Sequence, residues 1–389
     1  MNDAPDLIMN WRSAMMVMVV LPLLLCGLIL LLRRVEARAA RPLGLFLILG
    51  GLSMGPQIIG FAGAYQIWPW LTFCPLFFVD LWLGPLLVIH AHNLMRGGPL
   101  GWRRWLLLPG LLQTAYYTGA FLLPGDGLFD TPAKWAFNDA FHLPYIIPME
   151  SLLGIGLFGF SIVLIWRGRG RYLTFLDQTQ SAARDFDPVW LRNLIVAMSI
   201  GLTIYAGLEI LSLAVALSYP ATFPALLLLT SVLTWVGLDA AWRLTAPFPK
   251  MDIAAPAPRM TVSDNHALPD DLSARVRSAI IDQRWYLEPR LTISDVARRL
   301  GTNESYVSRA LNQSLGDSFN RFVNRARIDH AKALLETGEG SILSMAMDSG
   351  FNSKATFNRV FKTFTHETPT QFRNRRRASD LQSEASQSP

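Results

Sequence analysis

The sequence predicts an all-α protein in two unlike parts: a seven-helix transmembrane bundle, then a soluble all-helical domain with a double helix-turn-helix. Three observations predict it. The chain of 389 residues is 51% hydrophobic and 16% charged, too apolar for an average soluble domain, and its apolar residues concentrate before residue 243. Seven stretches in that part have the roughly 20 residues a span needs. In the basic remainder, a short amphipathic helix, a turn glycine and a second helix occur in series, and the pattern then returns.

The expected spans are Ser13–Leu32, Pro42–Gly63, Trp68–Ala91, Trp105–Leu123, Leu143–Trp166, Asn193–Ser218 and Thr222–Trp242. Prolines such as Pro22, Pro56, Pro75 and Pro85 lie within them, which neighbouring helices tolerate in a bundle. Trp68, Trp102, Trp105, Trp166, Trp190, Tyr219 and Trp242 mark ends, as aromatic side chains do at the headgroup level. Arg33, Arg34, Arg38 and Arg41 follow the first span, Arg96, Arg103 and Arg104 the third, and Arg167, Arg169, Arg171, Arg184 and Arg192 the fifth. The alternate loops carry only Lys134. By the positive-inside rule the N-terminus faces out and everything after Trp242 faces the cytoplasm, a multi-pass arrangement in a bacterial inner membrane. No basic region precedes the first apolar run, so that run is expected to remain as an anchor rather than a cleaved signal.

Ionisable groups inside spans are costly and therefore point to function. Asp80, Glu150 and Glu209, with His142 at the rim, form the candidate ligand pocket. The alternative is that each carboxyl bonds a neighbouring helix and only holds the bundle together. His90 and His92 do not share a helix face, Cys26 and Cys74 lack zinc or disulfide spacing, and neither a metal nor another cofactor is expected. No nucleophile–base set is visible, so no enzymatic activity is expected.

The domain boundaries expected are 1–242 for the membrane part, 243–271 for a linker, 272–377 for the soluble domain and 378–389 for a disordered tail. Pro247, Pro249, Pro256, Pro258 and Pro269 make the linker an extended tether. Residues 272–377 carry 18 Lys/Arg against 10 Asp/Glu, a net of +8, which fits a polyanionic partner. Ile293, Val296, Ala297 and Leu300 share one face of a short helix. Gly301 supplies a left-handed stop and Thr302-Asn303 the next cap. The second helix turns Tyr306, Val307, Ala310 and Leu311 inward and Ser305, Ser308, Arg309 and Asn312 outward. A long amphipathic helix over Ser318–Thr337 follows. Ile342, Met345 and Ala346 then lead to Gly350, and Ser353 caps a helix that buries Phe357, Val360 and Phe361 while showing Lys354, Ala355, Asn358, Arg359 and Lys362. Two such helices on one face can enter successive major grooves, one turn or ~34 Å apart.

Ser318-Phe319 with Asn324, Arg327, Ala331 and Leu334-Leu335, then Ile342, Ala346, Gly350-Phe351, Phe357, Phe361-Lys362, Thr368-Pro369 and Phe372-Arg373, resembles the DNA-binding domain of the AraC/XylS family of transcription regulators. His366 stands where that family usually closes its last recognition helix with Gly; His is among the residues that enter αL more readily. The resemblance stops short of the first 242 residues. It implies that the outward faces read double-stranded DNA. Arg309 and Arg359 suit guanine, Asn312 and Asn358 suit adenine, and Lys354 and Lys362 suit phosphates. Homodimerisation, contact with RNA polymerase, and a small-molecule or envelope signal at the membrane are the accompanying expectations. The alternatives are a transporter or membrane enzyme fused to the regulator, or spans that serve only as an anchor.

Overall fold

The computed structural model describes residues 10–68, 71, 73–122, 131–215, 221–243, 248–251, 271–337, 340–376 and 378. Within these the chain is helical, and its contacts divide it into two units: residues 1–169 with 188–253, and residues 170–187 with 254–389. Most of the expected linker and tail, together with Tyr219, lies outside the described residues.

The first unit contains α1 (Trp11–Leu32), α2 (Ala37–Leu52), α3 (Gly55–Phe61), α4 (Ala64–Ile67), α5 (Asp80–Met95), α6 (Leu108–Phe121), α7 (Thr131–Phe137), most of α8 (Ile147–Thr179), α9 (Val189–Ala214) and α10 (Phe223–Arg243). Small residues set its packing. A Cβ on Gly27 would lie 2.8 Å from the Gly44 carbonyl oxygen, and one on Gly44 2.6 Å from that of Gly27. The two backbones therefore touch where α1 crosses α2, the close approach that small residues permit between membrane helices. Gly84 of α5 makes room for the Ser161 hydroxyl of α8, which a Cβ there would meet at 2.7 Å. Outside these seams many large apolar side chains remain exposed, among them Met18, Leu112, Leu152 and Ile210.

Five helical segments among the described residues are long and apolar enough to cross a membrane: Trp11–Leu32, Ala37–Phe61, Pro132–Thr179, Val189–Leu208 and Phe223–Trp242. Two of the seven expected spans are shorter as helices. The third, expected over Trp68–Ala91, is α-helical among the described residues only from Asp80. Before that, Leu71, Cys74 and Phe77 donate to carbonyls three residues back, at 3.1, 3.1 and 3.0 Å, and Pro75 has no N–H to continue a helix. The 16 residues of α5 span about 24 Å. The fourth begins as a 3₁₀ turn over Gly101–Leu107 and is α-helical only over Leu108–Phe121. Apolarity alone defined these two windows, and it does not register where backbone bonding changes. Trp190 is also corrected: it is buried against the His90 ring rather than exposed at an interface.

The second unit contains the end of α8 and α11 (Leu272–Ile281), α12 (Ile293–Arg299), α13 (Glu304–Arg309), α14 (Phe319–Thr337), α15 (Ile342–Asp348) and α16 (Lys354–Thr365). Four of these helices are capped from their own sequence. Thr292 and Asp295 form a reciprocal capping box on α12, Asn303 accepts from Tyr306 N on α13, Ser341 from Ser344 N on α15, and Ser353 from Thr356 N on α16. Burial raises the Asp295 carboxyl, but hydrogen bonds from Thr292 and the charges of Arg298 and Arg299 outweigh it and hold the group below the ordinary carboxylate range. Gly301 (φ +65°) and His366 (φ +63°) take the left-handed turns expected of them.

Two apolar cores result. Val276, Ile280, Val296, Val307, Leu311, Phe319 and Val323 build the first; Ile328, Leu335, Met345, Phe351, Phe357 and Phe361 build the second. The long helix α14 serves both, its N-terminal half the first and its C-terminal half the second. Between them lies Arg327, 1% exposed.

Candidate functional site

In the second unit, helix pairs α12–α13 and α15–α16 each bury one face and present the other. On α13 the Arg309 guanidinium stacks over the Tyr306 ring at 5.0 Å, a cation–π contact that fixes a long side chain. Asn312, just beyond α13, is exposed and donates to Ser308 Oγ at 3.2 Å. Ser305 and Ser308 are half-buried. On α16, Lys354, Ala355, Arg359 and Lys362 are exposed, while Asn358 is half-buried with its Oδ1 unpartnered. The structure thus gathers Ser305, Ser308, Arg309 and Asn312 on one pair, and Lys354, Ala355, Asn358, Arg359 and Lys362 on the other. Three cations of α16 stand on its exposed side.

What holds the pairs in register is a polar seam at α14. Arg327 Nε donates to the Tyr286 carbonyl at 2.7 Å and its Nη2 to the Glu288 carbonyl at 2.6 Å. Its guanidinium also lies 5.7 Å from the centre of the Phe351 ring. Burial lowers this guanidinium to about 10, so it stays charged at neutral pH. Gly350 closes the same seam. At φ +83° its backbone passes so near the α11–α12 connection that a Cβ would lie 2.7 Å from the Tyr286 oxygen and 2.8 Å from the Leu287 oxygen. Sequence reasoning placed Gly350 at a turn and Arg327 in a motif, but missed the seam they share. The signal available was polar residues, Asn320, Asn324 and Arg327, along the otherwise apolar face of an amphipathic helix.

In the first unit, Asp80 and Glu150 line a cavity of about 400 Å³ together with Gln57, Ser151, Tyr205 and Thr230 and a larger apolar surface that includes Phe46, Phe78 and Leu229. Asp80 is exposed to this space. Glu150 accepts from Tyr117 Oη at 2.7 Å and from Gln113 Nε2, whose Oε1 in turn accepts from Leu81 N at 3.1 Å. His142 is not brought to the cavity: it is buried, with its Nδ1 2.9 Å from Tyr116 Oη, among Phe73, Phe78 and Tyr117. The Glu209 side chain lies outside the described residues. Among the described residues no group of His, Cys, Asp and Glu could hold a metal ion.

A helix-turn-helix domain model matches residues 296–375. An HTH-type transcriptional regulator of Staphylococcus aureus (strain COL) is 37% identical over 121 residues, 31% of this chain and 16% of that protein. The melibiose operon regulatory protein of Escherichia coli (strain K12) is 31% identical over 83 residues, 21% of this chain and 28% of that protein. Among solved structures, the C-terminal domain of AraT, a response regulator from Geobacillus stearothermophilus, is 30% identical over 26% of this chain and 83% of its own, with a TM-score of 0.25. The chain therefore spans about one sixth of the length of the first of these relatives, and the residues matched by the domain model lie in the second unit. Residues 296–375 are a helix-turn-helix domain of AraC type, which implies binding of double-stranded DNA in transcription regulation.

Proposed function

We propose that the protein is a membrane-bound, sequence-specific transcription regulator that senses a signal in its transmembrane unit and presents two helix-turn-helix units, α12–α13 and α15–α16, to DNA in the cytoplasm. The observation that carries this is the pairing, in one chain, of helices with exposed apolar surfaces and a domain of transcription regulators.

Contacts inside the first unit support seven crossings with the expected orientation. At one end Asn10 Nδ2 donates to the Phe61 carbonyl at 2.6 Å, and Trp11 and Phe61 both meet Phe223 edge-on. At the other, Arg33 donates to the Ala241 carbonyl at 2.5 Å, Lys250 pairs with Glu36 at 2.6 Å and donates to Leu94 O at 2.9 Å, and His90 donates to Ala39 O at 2.7 Å. The short helix α5 thus reaches the end where Arg33, Arg38 and Lys250 gather, and α6 returns beside it, with Trp82 Nε1 donating to Thr114 Oγ1 at 2.9 Å. A cation-rich end is a cytoplasmic end.

The cavity fits a largely apolar ligand with one cationic or hydrogen-bond-donating group, met by the carboxyl of Asp80. Arg309 and Arg359 read base edges, and Lys354 and Lys362 hold phosphates. In selection of bound sequences with the full-length protein in lipid nanodiscs, Arg309→Ala or Arg359→Ala costs about 1–3 kcal/mol at one base position, whereas Lys354→Ala weakens all sequences alike. Intact site preference in both arginine variants rejects the assignment. Asp80→Asn and Glu150→Gln leave basal DNA binding unchanged and abolish regulation in cells; regulation that survives both would make the spans an anchor only.

A further inference from the structure

The loop that follows α8 groups with the helix-turn-helix unit, although the sequence offers it only as part of a connection between two apolar helices. Residues 170–187 group with residues 254–389, and the loop is bonded at three levels. Beside the first helix pair, Ser181 N donates to the Leu291 carbonyl at 3.1 Å and Gln180 forms an antiparallel bridge with Thr292. On the connecting helix, Asn320 Nδ2 donates to the Ser181 carbonyl at 2.7 Å, and Arg327 Nη2 donates to Ser181 Oγ at 3.2 Å. At the second pair, Asp185 accepts from Thr356 Oγ1 at 2.8 Å and from Asn352 Nδ2 at 3.2 Å. Ser181, Ala182 and Ala183 are buried.

We propose that this loop is a built-in clamp that restrains DNA binding: Asp185 holds, at the start of α16, a place that a DNA phosphate takes when the protein binds its operator. Three facts carry it. The first turn of a recognition helix is the part that enters the groove, and polar side chains and free N–H groups there bind phosphate oxygens. Asn352 and Thr356 flank the Ser353 cap of that turn, and both donate to a carboxylate supplied by this chain. A second anion close to a duplex phosphate is repelled, so docked Asp185 and bound DNA exclude one another. The inference rests on α16 being a recognition helix. It also gives the sensing reading a route, because the loop continues the same 33-residue helix that supplies Glu150 and Ser151 to the cavity.

The test uses full-length protein in nanodiscs and a random-sequence DNA duplex at low salt, where phosphate contacts dominate. Asp185→Ala and Asp185→Asn each raise affinity by about three- to fivefold, and the gain fades in molar salt as screening shortens to ~3 Å. Unchanged or lowered affinity in both variants overturns the clamp. Lys362→Ala is the control for the underlying reading: if it too has no effect, α16 does not face DNA, whereas if it weakens binding while the Asp185 variants are silent, the clamp alone fails. Ala183→Cys, in a chain with Cys26→Ser and Cys74→Ser, supplies a readout independent of affinity. A maleimide labels it slowly without DNA and several times faster with saturating duplex; equal rates reject mutual exclusion.

Discussion

The two units solve the same problem, packing helices side by side, with opposite materials. In the first, helices meet through missing side chains: Gly27 against Gly44, Gly84 against Ser161, Gly201 against Leu229. Large apolar groups such as Leu25, Leu152 and Leu228 stay outside. In the second, large apolar groups fill two cores, and among the described residues only Leu343 and Met347 are exposed large hydrophobics. Water makes the difference. Where solvent is aqueous, burying Phe or Leu contributes about 1.5–3 kcal/mol each, so the core collects them. On the proposed reading, in which lipid surrounds the first unit, that gain disappears there, and close backbone approach and polar bonds such as Glu150 with Tyr117 remain to select partners.

The contrast is sharpest at glycines, where the same Gly→Ala change tests different things. Gly350→Ala should have the largest effect in the molecule. It combines φ +83° with contacts under 3.0 Å to the backbone of Tyr286 and Leu287, none of which a flexible side chain can relieve, and costs about 4 kcal/mol or more. Gly301→Ala, at φ +65° but with open space around its Cβ, costs about 1 kcal/mol. Hydrogen exchange in the intact protein measures both, in α15 and α16 for Gly350 and in α12 and α13 for Gly301; equal losses would mean that strain alone, and not the close approach, governs Gly350. In the first unit Gly44→Leu forces α1 and α2 apart, and should abolish engineered disulfides between them while leaving exchange in α14–α16 unchanged.

These particulars show what the sequence carries. Periodicity and caps placed α12 to α16 because each helix of an amphipathic set advertises its buried face and its end: Thr302-Asn303 before α13, Ser353 before α16, His366 after it. The break before Asp80 was hidden, since the residues on either side of it are equally apolar and Pro75 is compatible with a span. Glu150 was legible as a buried acid, but its Tyr117 and Gln113 partners were not, because they come from another helix with no fixed spacing. The Ser181–Asp185 loop was least legible. Small polar residues dock through backbone and hydroxyl groups, which leave no pattern in one dimension.

The smallest expected effect tests whether caps in the second unit act one helix at a time. Ser353 Oγ accepts from Thr356 N at 3.2 Å, and removing such a cap costs about 1 kcal/mol. Thr292 caps α12 and also donates to Asp295, whose carboxyl is held below its ordinary range. A group depressed in the folded state contributes stability that is present above its unfolded pKa of about 3.9 and is lost as pH falls through the lower folded value. Ser353→Ala should therefore destabilise the second core by the same amount at pH 7 and at pH 4, whereas Thr292→Ala destabilises the first core more at pH 7 than at pH 3. Denaturant melts of the two cores, followed by hydrogen exchange at each pH, separate them. A pH-independent loss in Thr292→Ala would show that the hydroxyl cap alone, and not the charge of Asp295, holds the start of α12.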